Sequence, residues 1–84
     1  MNFSTLNFQN YDVVKGATRA LHFFENGWSI SVVAGPAGAG LYGVIGEDTF
    51  EVAIIRPNGN MLDDVMGWQT PVQVSTIMRV ICMM

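Results

Sequence analysis

The sequence predicts an α+β fold, a small antiparallel β-sheet of three or four strands with a C-terminal amphipathic helix packed on one face. Three stretches carry this expectation. Residues 19–34, RALHFFENGWSISVVA, place two runs rich in aromatic and β-branched residues on either side of Asn26-Gly27, a strong hairpin signal. Residues 49–56, TFEVAIIR, alternate apolar Phe50, Val52 and Ile54 with Glu51 and Ala53, as a half-buried strand does. Residues 70–81 open on a helix cap and continue at helical spacing.

The 84 residues make room for a single domain, residues 1–84, with one modest core. Residues 1–18 are its least readable part: Phe3, Leu6, Phe8, Tyr11, Val13 and Val14 follow no clean period, and one short strand is allowed over residues 2–8. Lys15-Gly16-Ala17 reads as a connection into the hairpin. A two-residue type I′ turn at Asn26-Gly27 needs positive φ at both residues, and it would set Phe23 against Ile30, His22 against Ser31 and Leu21 against Val32. One face would then carry Leu21, Phe23, Trp28, Ile30 and Val32. The other would carry His22, Phe24, Ser29 and Ser31.

Residues 35–46, GPAGAGLYGVIG, hold five glycines and a proline. Such a run sustains neither a regular helix nor a central strand, because glycine loses the most backbone entropy and proline lacks a donor. It is a long loop, either a flap over a ligand or a mobile connector, with the connector favoured. After the third strand, Pro57-Asn58-Gly59-Asn60 turns the chain, and Met61-Leu62 starts a short returning strand. Asp63 to Trp68 is too short and too broken by Gly67 to read as a helix. Thr70 is an N-cap, Pro71 the first helical residue and Gln73 the far side of a capping box. Val74, Ile77, Met78 and Ile81 form the apolar stripe, opposite Ser75, Thr76 and Arg79. The helix is expected over Leu21, Phe23, Trp28, Ile30 and Val32, which leaves His22, Phe24, Ser29, Ser31 and Glu51 or Ile55 to solvent or a second subunit.

Composition narrows the function. Half of the chain is hydrophobic and only 13% is charged, so apolar surface is exposed or is covered by another copy; a homo-oligomer is expected, with a dimer favoured. Lys15, Arg19, Arg56 and Arg79 are too few and too scattered for phosphate neutralisation against a net charge of -3, which argues against nucleic acid as a partner. The single cysteine, Cys82, reads as a small core residue in a reducing compartment. With neither a basic, apolar leader nor a run long enough to span a membrane, the expectation is a cytoplasmic protein with no membrane partner.

Candidate chemistry is sparse. Residues 38–43 match G-x-G-x-x-G, yet no crossover helix follows to meet a pyrophosphate, and the Gly-Lys-Ser/Thr of a P-loop is missing. His22 with Ser29, Ser31 and Glu51 invites a Ser-His reading, but strand positions supply neither a nucleophile elbow nor an oxyanion hole. One histidine and one cysteine do not make a zinc site, and Asp63-Asp64 reads as a solvated turn pair before a cation site. No catalytic residue, metal or cofactor is assigned, and an enzyme is not expected. Trp68, beside Gly67, is an interface anchor or a core residue in equal measure; Trp28 reads as core.

Residues 24–33, FENGWSISVV, then Phe50-Glu51-Val52-Ala53-Ile54, then Asp64-Val65-Met66-Gly67-Trp68 and the amphipathic helix resemble a family of small bacteriophage proteins to which no common activity is assigned. Its members often read F-x-N-G-x-x-x-S-V-V, Y-E-x-A-V and D-V-x-G-Y. The likeness spans about residues 23–81, and this chain departs from it with Phe50 and Trp68 in place of tyrosine and with its glycine-rich loop. The resemblance implies a phage protein acting stoichiometrically. The leading expectation is a non-catalytic inhibitor of a host factor, an antiviral defence component, bound through Phe24, Leu41, Tyr42 and Trp68. The alternative is an oligomeric sponge for a nucleotide-like immune signalling molecule, held between subunits by Arg19 or Arg56 with the amides of Gly38, Gly40 and Gly43. A phage structural or replication accessory protein is a further alternative.

Overall fold

Which face of the hairpin becomes the core is decided at residues 24–28. In the computed structural model, which describes residues 2–84, the chain forms strands β1 (Gln9–Tyr11), β2 (Ala17–Phe23), β3 (Ser29–Ala34), β4 (Phe50–Ile55) and β5 (Met61–Gln69), then helix α1 (Pro71–Cys82). The strands make one antiparallel sheet in the order of the sequence. The fold is α+β as expected, with five strands rather than three or four. Residues 2–8 are not a strand but hold a short 3-10 helix, Phe3–Thr5, that leads into β1.

The β2–β3 turn is not the two-residue kind. Phe24 N–H donates to Trp28 O at 2.8 Å and Gly27 N–H to Phe24 O at 3.1 Å, which encloses a three-residue loop, Glu25-Asn26-Gly27. Gly27 alone adopts positive φ, 89°, and Asn26 keeps an ordinary conformation. A type I turn followed by a left-handed glycine bulge is the three-residue solution to a hairpin. The β4–β5 turn repeats it: Arg56 N–H donates to Asn60 O at 2.8 Å and Gly59 N–H to Arg56 O at 2.9 Å, with Gly59 at φ 89°. Pro57 there occupies the position of a type I turn that its fixed φ suits.

The extra loop residue shifts the β2–β3 register by one, so Phe23 pairs with Ser29, His22 with Ile30 and Ala20 with Val32. A one-residue shift turns every side chain of β2 over relative to β3. The core face therefore carries Ala20, His22 and Phe24 beside Ile30, Val32 and Ala34, and Leu21 and Phe23 point away from the helix. This corrects the expected pairing of Leu21 and Phe23 with the helix, and the expected exposure of Phe24, which is only 5% exposed. The physical reason is room: Ala20 and Ala34 are small, and over the sheet Val74, Met78 and Ile81 of α1 seat themselves among Ile30, Val32 and Val52, all fully buried. Each such aliphatic side chain contributes about 1.5–3 kcal/mol on burial.

The helix start is as read: Gln73 N–H donates to Thr70 Oγ1 at 3.3 Å and Thr70 N–H to Gln73 Oε1 at 2.8 Å. Phe3 N–H donates to Ser75 Oγ at 2.8 Å, which lays the N-terminal segment along the helix. Phe3, Phe8 and Phe50 then close the core beside the helix, their ring centroids 4.9 to 5.7 Å apart. Trp28 is half-buried against the same core, as expected. Cys82, expected in the core, is exposed, because the buried positions of α1 are 74, 78 and 81 and position 82 turns away from them. Among the described residues no helix is long and apolar enough to cross a membrane.

At the far end of α1, the hairpin turn doubles as the helix clasp. Asn26 Nδ2 donates to Ile81 O at 2.8 Å and to Met84 O at 3.3 Å, while its Oδ1 accepts from Trp28 N–H at 3.1 Å. Ile81 O also accepts from Met84 N–H at 3.0 Å, so the Asn26 amide is a second donor to the last helical turn. Asn58, at the same place in the other turn, makes the local bond from Asn60 N–H at 2.9 Å but reaches no helix. Replacing each asparagine isolates the clasp: Asn26→Ala should cost about 1–2 kcal/mol more than Asn58→Ala. In thermal unfolding followed by circular dichroism, this corresponds to a Tm lower by roughly 4–16 °C; equal losses in the two variants would refute the clasp.

Candidate functional site

The glycine-rich segment between β3 and β4 is folded back and tied at its second half. Gly35 N–H donates to Gly43 O at 3.2 Å, and Ile45 N–H to Gly35 O at 3.0 Å, so residues 43–45 run parallel beside the end of β3. Val44 N–H donates to Thr49 Oγ1 at 3.0 Å, and a 3-10 turn, Ile45–Glu47, hands the chain to β4. Two glycines permit this approach. A Cβ on Gly43 would stand 2.6 Å from the Cα of Phe50, and one on Gly35 would stand 2.8 Å from a Leu41 methyl. Residues 41–45 are thus a docked segment and not the free connector favoured from sequence; residues 36–40 form its exposed tip, save Ala39, which is half-buried.

The docked segment meets β5 where that strand is irregular. Opposite β4, the register of β5 slips between Leu62 and Met66 and again between Met66 and Gln69, and the slipped stretches contain Asp63 at φ 57° and Trp68 at φ 59°. Such bulges unpair residues and re-aim side chains. The freed N–H of Trp68 donates to Tyr42 O at 2.7 Å, and Tyr42 N–H donates to Glu51 Oε1 at 3.3 Å. Gly67 lets Tyr42 lie against the strand, for a Cβ there would stand 2.9 Å from that of Tyr42. The two rings meet edge to face with centroids 6.2 Å apart, and each residue is 53% exposed. A tryptophan in the left-handed region is a true outlier, strained by about 1–3 kcal/mol and held by its surroundings.

Of the four residues expected at a protein interface, Tyr42 and Trp68 are together and exposed, and Leu41 is half-buried over Gly35. Phe24 belongs to the core and takes no part. The residues expected to hold a nucleotide-like ligand are not brought together. Arg19 lies on the open sheet face, where its Nε donates to Ser31 Oγ at 3.0 Å and its guanidinium sits 5.5 Å from the Tyr11 ring centroid. Arg56 stands at the β4–β5 turn, next to the Ile55–Ser29 pair, whereas Gly38 and Gly40 lie beyond Gly35, six residues further along β3 or about 20 Å away. Gly43 is used for packing.

His22 and the serines lie on opposite faces of the sheet. The imidazole meets Phe24 edge to face at 4.9 Å with Nε2 buried and unpartnered, while Ser29 and Ser31 are buried on the other side, so no Ser-His pair forms. Among the described residues no group of three or more side chains is placed to hold a metal ion.

Sequence reasoning missed the clasp between Tyr42 and Trp68. Its one signal was the coincidence of two glycines flanked by aromatics, Tyr42-Gly43 and Gly67-Trp68. The tie depends on the bare backbone of Gly43, so Gly43→Ala should destabilise the fold by about 1–3 kcal/mol in urea unfolding. Gly46→Ala, with open space around it, should stay within about 0.5 kcal/mol of the parent. Compared with models of known protein families, with curated proteins and with solved structures, the chain matches none.

Proposed function

We propose that the protein is a non-catalytic binding protein that acts by occupying a partner protein, with Tyr42 and Trp68 as its anchor. The observation that carries this is the exposed aromatic pair held on a strained, hydrogen-bonded backbone. Large aromatic side chains dominate the energetics of protein interfaces, most of all where they are already in place before the partner arrives. The strain at Trp68 also has a use under this reading, since a left-handed backbone there turns the indole outward beside Tyr42. The resemblance to small phage proteins makes a host factor, a component of antiviral defence, the partner to look for, in the host cytoplasm.

A sponge for a nucleotide-like ligand is the second reading. Within one chain Arg56 and the exposed glycines of the loop tip stand at opposite ends of the sheet, whereas Arg19 pairs with Val33, two residues before Gly35, so Arg19 is the arginine that such a site between subunits would use.

Trp68→Gly separates surface from scaffold. It relieves the backbone strain and removes the indole, so thermal stability should stay within about 1 kcal/mol of the parent. A tagged parent protein expressed in the host should retain one host protein in equimolar amount. Trp68→Gly and Tyr42→Ala should each lower that recovery by about tenfold or more. An unchanged recovery with both variants would overturn the proposal.

A further inference from the structure

On the sheet face turned away from α1, at the end that bears the two turns, Leu21 and Phe23 stand exposed on β2 beside the buried Ser29 and Ser31 of β3. From the strand registers, Phe23, Ser29, Ile55 and Met61 form one row across β2 to β5, and Leu21, Ser31 and Ala53 form the next. Phe23 is 69% exposed and Leu21 42%. A sheet with one such face lacks a layer, and a contiguous apolar patch rimmed by charge is a place where another surface docks.

The charges on this face indicate which surface. Arg19 on β2 and Glu51 on β4 share the third row, on either side of Val33 on β3. They are two strands apart, about 10 Å, and their contacts lie elsewhere, with Ser31 and Tyr11 for the one and Tyr42 for the other. Now let a two-fold axis run along β3, between this face and the same face of a second copy. Each β2 then lies over the β4 of the other chain. Arg19 meets Glu51 of the second copy twice over, Leu21 meets Ala53 and Phe23 meets Ile55. Opposite charge falls on opposite charge, and the large side chain of the Leu21 row falls on the small one. Ser29 and Ser31 of β3, already buried within one chain, lie beneath the seam.

We infer that two copies of this chain pack through this face, related by a two-fold axis along β3, as a helix–sheet–sheet–helix sandwich. The inference is independent of the partner proposed above, which is anchored at Tyr42 and Trp68. An isologous interface of this kind requires a patch complementary to itself, and the Arg19–Val33–Glu51 row supplies that complementarity. Aligned sheets in such a sandwich lie about 10 Å apart and cross at about -30°.

Sedimentation equilibrium of the full chain, with circular dichroism as a check on folding, tests it. The parent should be a dimer at micromolar concentration. Phe23→Glu, which changes an exposed side chain, should give a folded monomer, and Leu21→Lys serves as the second variant should Phe23→Glu fail to fold. Arg19→Glu should raise the dimer Kd by about a hundredfold, since it sets glutamates against Glu51 at two places. Arg19→Glu combined with Glu51→Arg should restore the Kd to within about tenfold of the parent, a rescue that a merely structural role would not produce. A parent that stays monomeric at high micromolar concentration, including one whose face is taken by a different protein, would overturn the inference. So would a dimer that survives Phe23→Glu, or a double variant no tighter than Arg19→Glu alone.

Discussion

The structure depends on the length of one loop. Three residues between Phe24 and Trp28 put the left-handed conformation on Gly27 alone and set β2 one residue out of the register that a two-residue turn would give. With the shorter turn, Leu21 and Phe23 would lie under α1, where Ala20 and Ala34 now leave space for Val74, Met78 and Ile81. The same loop carries Asn26 to the last carbonyls of the helix, so register and helix docking are fixed by one residue. Strand pairing and helix seating thereby become a single cooperative choice.

The second constraint is steric and sits at the other end of the sheet. At Gly43 the backbone of Phe50, at Gly67 the Cβ of Tyr42 and at Gly35 a methyl of Leu41 lie too close for an added Cβ, and these approaches let residues 41–45 lie down between β3 and β5. What a glycine-rich run lacks in intrinsic order it recovers through close approach. The cost of that arrangement surfaces at Trp68, whose backbone conformation few residues adopt willingly.

Much of this was legible, for identifiable reasons. Helix α1 declared itself because its start is written locally in Thr70, Pro71 and Gln73, and its stripe in Val74, Ile77, Met78 and Ile81. Strands β2, β3 and β4 showed through their apolar and β-branched runs, and the turns through two Asn-Gly pairs, whereas β1 lies at residues 9–11 and not within 2–8. Register was not legible, because Asn-Gly serves both the two-residue and the three-residue hairpin. Phe24, read as surface, went into the core for that reason alone. The length of β5 was obscured because bulges at Asp63 and Trp68 break its period of two. The aromatic cluster of Phe3, Phe8 and Phe50 joins segments more than forty residues apart, and no local pattern announces such a contact. Trp68 and Tyr42 were each legible as interface candidates, Trp68 with a core position weighed equally, while the bond that makes them one surface was not.

The irregularity of β5 has a bearing on how this protein can polymerise. A sheet of five strands has two open edges, and a straight edge is a template on which identical chains can add without limit. Here one edge is β1, three residues long, and the other is β5, bent at two slips and bearing Asp63 and Asp64. Neither offers an extended ladder of unpaired amides to a neighbour. Both edges are thereby blunted as templates for edge-to-edge pairing.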